Sequence, residues 1–357
     1  MAKLIDSNKL YINGRFLSQR FTGVQKFALQ QIVDISDKYD VCVLVPKNAD
    51  VSVLPENINY RRVGLNSGHL WEQFDLRLFL LMRKSPLLLT LSGLPPILYK
   101  NSIFTIHDLS FKHEPSWFSF GYRVWYGFAY EIVTRYCLRI ITVSNFSKNE
   151  LLNYYPSSKD KISVVYNKVP SFNSVTDNNQ DTKSKFILLV SSLDPRKNIK
   201  SFINAFVSSE NTDYKLLIAG GSGSAFKFEY PSHVYPNVEF LGYVDDDKLA
   251  ELYSSATLFA YPSLYEGFGI PPLEAMSNGC PCVVSDVSSI PEVCGDAAYY
   301  FDPGSAESIK NAINEVIGSD KLKDELVRKG FTRLEFLNNN PNDYTIERAL
   351  NESFAVK

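Results

Sequence analysis

Two carboxylates, Glu266 and Glu274, stand eight residues apart in the segment YPSLYEGFGIPPLEAMSNG that begins at Tyr261. Between them lie Gly267, Phe268, Gly269 and Ile270, followed by Pro271 and Pro272, and prolines placed this way suit the opening turn of a helix. The spacing predicts a loop carrying Glu266 and a helix whose first turn carries Glu274. Carboxylates there accept hydrogen bonds from neutral sugar hydroxyls, glycines let backbone approach a ligand, and a helix N-terminus favours an anion. A surface helix with Glu274 complementing its dipole is the plainer alternative.

A second group is cationic. Arg196 and Lys197 lie in SSLDPRKNI, directly after an apolar run that ends at Val190. At a strand end, a guanidinium fork and an ammonium point charge can neutralise a diphosphate; the alternative is a solvated helix start. His107 and Asp108 close the apolar run SIFTI and project from the end of a strand. Gly23, in RFTGV from Arg20, precedes a helix and lets backbone approach a reacting group. Gly220 and Gly221, in AGGSGSA from Ala219, form a glycine turn that lacks the last glycine of a dinucleotide fingerprint. It reads equally as a turn near a nucleotide or as a plain strand-to-helix turn. Asp245, Asp246 and Asp247 precede the amphipathic KLAELYSSA, so they read as an N-cap with first-turn acids, and no metal site is expected. His69, His113 and His233 read as structural.

Short β-branched runs alternate with helical periodicity, the pattern of βαβ units and parallel sheets, and it occurs twice. In the first half the strands expected are Val41 to Val45, Leu87 to Leu91, Ile103 to Ile106, Ile140 to Val143 and Ile162 to Tyr166, with helices from about Val24, Phe118 and Lys148. In the second they are Phe186 to Val190, Lys215 to Ala219, Val238 to Leu241, Leu258 to Tyr261, Cys282 to Ser285 and Ala298 to Phe301. The polar stretch Ser171 to Ser184 reads as a linker, Asn338 to Asn342 as a break, and Asp343 to Ala355 as a closing helix. Two open α/β sheets facing one another would form a cleft at the carboxyl ends of their strands, where ligands bind.

The 357 residues fit about two domains. Their composition, 45% hydrophobic and 21% charged, excludes a disordered or collagenous chain. Residues 1–180 hold 21 Lys and Arg against 14 Asp and Glu, a net of +7, while the remainder is −9. The basic half is therefore the one suited to an anionic partner, although two oppositely charged domains attracting each other would explain the same numbers. Five cysteines without CxxC spacing exclude a readable disulfide framework or zinc site and fit a reducing cytoplasm. No apolar stretch reads as a membrane span. Trp117, Phe118, Phe120, Tyr122, Trp125, Tyr126, Phe128 and Tyr130 crowd one helical segment. They read as core, or, with Arg77, Arg83, Lys84 and Arg123, as a surface resting on anionic lipid. No nucleic-acid recognition motif accompanies the basic half.

The residues resemble the retaining glycosyltransferases of the GT-B fold, family 4, in particular the subgroup that builds bacterial surface polysaccharides. The E-x7-E segment carries the resemblance, supported by RFTGVQKFA, TIHDL from Thr105, ITVSNFSK from Ile141, SSLDPRKNI, AGGSG, FLGYVDDDKLAELYSSA from Phe240 and CVVSDVSSIPEV from Cys282. It implies an α/β fold of two Rossmann-like, doubly wound domains facing a cleft. Residues 1–175 would bind the acceptor and 185–338 the nucleotide-sugar donor, with 339–357 a C-terminal helix packing back on the first domain.

In that family Arg196 and Lys197 would hold the donor's pyrophosphate, Glu266 and His107 the transferred sugar, and Glu274 the ribose. Asp108, Gly23, Gly220, Gly221, Tyr243, Gly267, Phe268, Gly269 and Ile270 would line the substrate. The expected reaction moves a hexose, mannose in many relatives, from a nucleotide diphosphate sugar to a hydroxyl of a lipid-linked glycan, as in O-antigen or capsule synthesis. It proceeds with retention and without metal or cofactor, in the cytoplasm or at the inner face of its membrane. A silent nucleotide-sugar-binding partner and a sugar-nucleotide epimerase are the alternatives.

Overall fold

A computed structural model describes residues 9–21, 23–168, 184–209, 213–221, 235–339 and 345–354. The chain divides into two compact units, residues 1–168 with 342–357, and residues 169–341. The polar stretch from Ser171 lies outside the described residues as far as Ser184, which opens a strand.

The first unit is built on strands β1 (Lys9–Asn13), β2 (Asp40–Val45), β3 (Asn59–Arg62), β4 (Leu88–Thr90), β5 (Ser102–Thr105), β6 (Arg139–Thr142) and β7 (Ile162–Val164). All pair in parallel in the order β3-β2-β1-β4-β5-β6-β7. The order reverses between β1 and β4, the switch point at which open α/β sheets bind ligands. Helices α1 (Gly23–Ser36), α2 (Gly68–Leu70), α3 (Arg77–Met82), α4 (Ser110–His113), α5 (Phe120–Tyr136) and α6 (Asn145–Tyr154) connect them. A π-helical turn, Trp71–Leu76, joins α2 to α3 without a break.

The second unit repeats the plan with β8 (Ser184–Val190), β9 (Lys215–Ala219), β10 (Val238–Gly242), β11 (Ala256–Tyr261), β12 (Cys282–Ser285) and β13 (Tyr299–Phe301), in the order β10-β9-β8-β11-β12-β13. Its switch point lies between β8 and β11. Helices α7 (Ile199–Val207), α8 (Asp246–Ser255), α9 (Ile270–Ser277), α10 (Ile290–Cys294), α11 (Ala306–Ile317) and α12 (Asp320–Asn339) complete it. Its core is the apolar face of β8 and β9 against Phe202, Ile203 and Phe206 of α7 and Ile309, Ile313 and Val316 of α11.

The last helix, α13 (Ile346–Phe354), belongs to the first unit. Ala349 and Leu350 are buried, and Glu352 accepts a 2.9 Å hydrogen bond from Ser163 and pairs with Arg139 at 3.0 Å. Strands β1 and β3 and the helical run from Gly68 to Met82 add to the elements expected from sequence. The helix expected from Phe118 starts at Phe120, where Ser119 caps it, and the strand expected to reach Tyr166 ends at Val164.

Candidate functional site

The chemistry-bearing residues of the second unit gather at its switch point. β8 delivers the loop Ser191–Asp194 and then a single 3-10 turn, Pro195–Lys197, capped by the Asp194 carboxylate on the Arg196 N–H at 3.0 Å. β11 delivers the loop from Pro262 to Gly269. The Leu264 N–H donates to the Arg196 carbonyl at 2.7 Å, so the two loops are stitched together by backbone.

Across this stitch the Lys197 ammonium donates to Glu266 at 2.5 Å, and an Arg196 guanidinium nitrogen stands 4.0 Å from the same carboxylate. Both Lys197 and Glu266 are buried. Burial alone pushes the Glu266 carboxyl up, but Lys197 and Arg196 outweigh it and hold it at about 2. Burial pulls Lys197 down, and Glu266 opposes that pull. The Tyr261 hydroxyl lies 3.4 Å from the Lys197 nitrogen, and burial drives its own titration far above the ordinary tyrosine range.

Two serines hold the β11 loop from the other side. Ser288 Oγ accepts from the Glu266 N–H at 3.0 Å, and buried Ser289 shares its one hydroxyl proton between the carbonyls of Glu266 and Phe268, 2.9 and 2.7 Å away. Neither was singled out by sequence reasoning. The available signal was a pair of hydroxyl side chains directly after an apolar strand in CVVSDVSS, a place where such groups satisfy loop carbonyls.

Glu274 stands elsewhere than expected. Helix α9 begins at Ile270, so Pro271 and Pro272 take its second and third positions and Glu274 its fifth, beyond the first turn. Its dipole-complementing role falls away with that shift. Instead its carboxylate accepts from the Tyr253 hydroxyl at 3.0 Å. The rings of Tyr253, Phe259 and Tyr261 follow one another at 5.4 and 6.0 Å, an aromatic row leading from Glu274 to Lys197. The prolines carry no N–H, so donors at this helix start come from the residues before them, Gly269 and Ile270 among them. Gly269 has φ +109°, a conformation glycine adopts without strain.

Gly220 closes β9, and a Cβ there would sit 1.9 Å from the Ser191 carbonyl oxygen. Its glycine is thus required by the approach of the β8 loop that leads to Arg196. Gly221 follows it. Tyr243, just past β10, is largely exposed. Asp245 caps α8 by accepting from the Lys248 N–H at 2.8 Å, the N-cap expected for the acidic run.

In the first unit His107 and Asp108 follow β5. The His107 ring packs edge-on against Phe27 at 5.0 Å, and Nε2 lies 2.9 Å from the Leu91 carbonyl, which can only accept. Nε2 therefore carries the proton, and Nδ1 is the free-lone-pair nitrogen of the neutral ring. Burial lowers its titration below the ordinary histidine value. Asp108 accepts from the N–H and hydroxyl of Ser110, opening α4. Gly23 is the first residue of α1.

A further buried group at the same sheet edge was not anticipated. Glu72, fully buried, accepts from Asn13 at the end of β1 and from the Leu94 N–H, and pairs with Arg15 at 2.9 Å and His69 at 3.0 Å. Among the described residues no group of three or more metal-ligating side chains is placed to hold an ion.

Two parallel sheets in Rossmann order, the second with a carboxylate and two cations at its switch point, define the GT-B class of protein. Solved structures share the fold. Sucrose-phosphate synthase from Thermosynechococcus elongatus is 18% identical with a TM-score of 0.75, covering 98% of this chain and 99% of that one. WaaG, a glycosyltransferase involved in lipopolysaccharide biosynthesis, is 15% identical with a TM-score of 0.72, covering 96% and 98%.

Two family models match in tandem, Glycosyltransferase Family 4 over residues 38–170 and Glycosyl transferases group 1 over residues 172–333. Each unit thus matches a glycosyltransferase family model, the first that of family 4 and the second that of group 1. Its relatives include the O-antigen chain mannosyltransferase RfbU of Salmonella typhimurium, 33% identical over 65% of this chain and 64% of that protein. The O-antigen chain mannosyltransferase B of Escherichia coli is 31% identical over 54% and 55%. The chain thus spans between about half and just under two thirds of the length of these relatives.

Proposed function

We propose that the protein is a retaining hexosyltransferase that moves mannose from a nucleotide diphosphate sugar to a hydroxyl of a lipid-linked glycan in bacterial polysaccharide synthesis, without a metal ion. The observation that carries this reading is the buried Glu266 carboxylate set between Lys197 and Arg196 where the strand order of the second unit reverses. The O-antigen mannosyltransferases among the relatives support the sugar and the class of acceptor.

In this mechanism Arg196 and Lys197 stabilise the charge that grows on the departing diphosphate. Lys197 also fixes Glu266, whose ionised oxygens accept hydrogen bonds from the sugar's hydroxyls. Glu274, steadied by Tyr253, accepts from the ribose. His107, kept neutral by desolvation of its ring, offers Nδ1 to a sugar hydroxyl donor.

Retention by the two-carboxylate glycosidase route needs a nucleophile beneath the anomeric carbon. None is assigned here, so the acceptor oxygen attacks on the face the phosphate leaves. The bond from C1 to the phosphate oxygen breaks, the bond from C1 to the acceptor oxygen forms, and the acceptor's proton passes to the leaving phosphate.

Incubation with GDP-mannose, UDP-glucose, UDP-galactose and dTDP-rhamnose tests the reading through release of nucleoside diphosphate and NMR of the product linkage. Release from GDP-mannose with a retained linkage is expected. No turnover of any donor, or an inverted linkage, overturns it.

A further inference from the structure

The cluster around Glu72 sits where the strand order of the first unit reverses, the edge at which open α/β sheets take ligands. Oε1 of this buried carboxylate accepts from Asn13 at 3.1 Å and from the Leu94 N–H at 3.0 Å, and Arg15 pairs with it at 2.9 Å. Oε2 is left for His69, whose Nδ1 stands 3.0 Å away. The backbone is shaped around this arrangement. Glu72 lies in the π-helical turn Trp71–Leu76, a rare form of helix that recurs at functional sites. Gly93, at φ +89°, closes the other side, where a Cβ would lie 2.5 Å from Oε1.

A carboxylate oxygen can only accept, so the neutral His69 ring carries its proton on Nδ1 and keeps Nε2 as a lone pair. This is the reverse of His107, which carries its proton on Nε2. The Arg15 and Glu72 side chains keep 9% and 0% of their surface in water, whereas His69 keeps 38%. The His69 ring stands beside those of Trp125 at 5.6 Å and Tyr126 at 5.7 Å. The Tyr126 hydroxyl lies 3.5 Å from Nε2, too long a contact to use up the lone pair.

Arg15 and Glu72 balance in charge, so the cluster favours a neutral ligand over an anion. A partly exposed imidazole acceptor flanked by aromatic rings suits a sugar hydroxyl. The loop after β4 places that ligand. Its Leu94 N–H donates to Glu72, and its Leu91 carbonyl accepts from His107, so one short loop joins the cluster to the histidine that meets the transferred sugar in the proposed reaction.

We infer that His69, which sequence reading makes structural, is an acceptor-binding residue. Its Nε2 accepts a hydrogen bond from a hydroxyl of the acceptor's terminal sugar, other than the hydroxyl that attacks, and Glu72 is the positioning residue that fixes the ring. The inference rests on the proposed transfer for the identity of its ligand.

The test is saturation-transfer NMR of the full chain with the methyl glycosides of mannose, glucose, galactose, rhamnose and N-acetylglucosamine, in the absence of donor. Wild type is expected to bind at least one of them. His69→Asn keeps a donor for Glu72 but has no acceptor at the place of Nε2, and should weaken that binding about tenfold. His69→Gln reaches that place with an amide oxygen and should lose less. Affinity for GDP and UDP should be unchanged in His69→Asn, which separates failure here from failure of the donor reading. In long-range 1H–15N spectra the neutral His69 ring should be protonated at Nδ1, and Glu72→Gln should reduce that preference. Binding of none of the glycosides by wild type overturns the inference, as does equal binding by wild type and His69→Asn, or a larger loss in His69→Gln. Joint loss of glycoside and nucleotide binding in His69→Asn assigns the residue a structural role and overturns it too, and an Nε2-protonated ring overturns the role of Glu72.

Discussion

Removing Lys197 tests the centre of the proposed site most directly. The ammonium and the Glu266 carboxylate keep only 10% and 9% of their side-chain surface in water, so Lys197→Met would leave a carboxylate buried without its 2.5 Å partner. Breaking such a pair costs about 3 to 5 kcal/mol. The titration of Glu266 gives a similar size by a different route. Its carboxyl is held at about 2, against 4.5 for an unperturbed glutamate, and that depression is worth about 3 kcal/mol.

Because the folded-state value is depressed, this stability is present above the unfolded value and is lost as pH falls from 4.5 toward 2. Lys197→Met should therefore lower stability at neutral pH and flatten the acid loss, and Glu266→Gln should flatten it as well. The double variant should recover part of the loss, with a coupling of about 2 kcal/mol.

The measurement is helped by the placement of the tryptophans. All three, Trp71, Trp117 and Trp125, lie in the first unit, so their emission follows that unit while far-UV circular dichroism follows both. Urea titrations of the full chain read by the two probes separate the effect on the second unit. Single variants within about 0.5 kcal/mol of wild type and additive in the double would refute the buried pair. Turnover should stay low in the double variant even where stability returns, since both roles in the chemistry are gone.

Three further outcomes are expected. Gly220→Ala places a Cβ against the Ser191 carbonyl oxygen at a φ of +139°, and should cost on the order of 3 kcal/mol in the second-unit transition. Ser289→Ala removes the one hydroxyl donor shared by the carbonyls of Glu266 and Phe268. It should cost about 2 kcal/mol and raise the KM for donor more than it lowers kcat for donor hydrolysis. His107 titrates below its usual value, so the unfolded chain takes up a proton first. Stability should decline as pH falls below about 6.5, and His107→Gln should remove that part of the decline in urea midpoints measured between neutral and mildly acid pH.

Much of the sheet framework was legible because buried parallel strands are continuous apolar runs. Lys215–Ala219 and Cys282–Ser285 coincide with the runs that predicted them. β3 was not legible because NYRR is an exposed, polar edge strand whose place is set by pairing with β2. β1 is short, and its centrality comes from partners on both sides, β2 and β4, that lie far along the chain. Chemistry-bearing residues could be picked out by type and position, but their pairing could not. Lys197 and Glu266 are 69 residues apart and meet only because β8 and β11 are neighbours. Glu274 falls just past the first turn, at the fifth position of α9, because the prolines mark the region of a helix start and not its first residue.

The stitching of the β11 loop has a thermodynamic consequence. Leu264 is tied to Arg196, and Ser288 and Ser289 hold the backbone of Glu266 and Phe268, all through hydrogen bonds within the protein itself. The loop has already surrendered most of the freedom that capture of a sugar nucleotide would otherwise take from it, so association is charged little for ordering. On the proposed function, donor preference in such a cradle should then be changed by exchanging side chains along its rim.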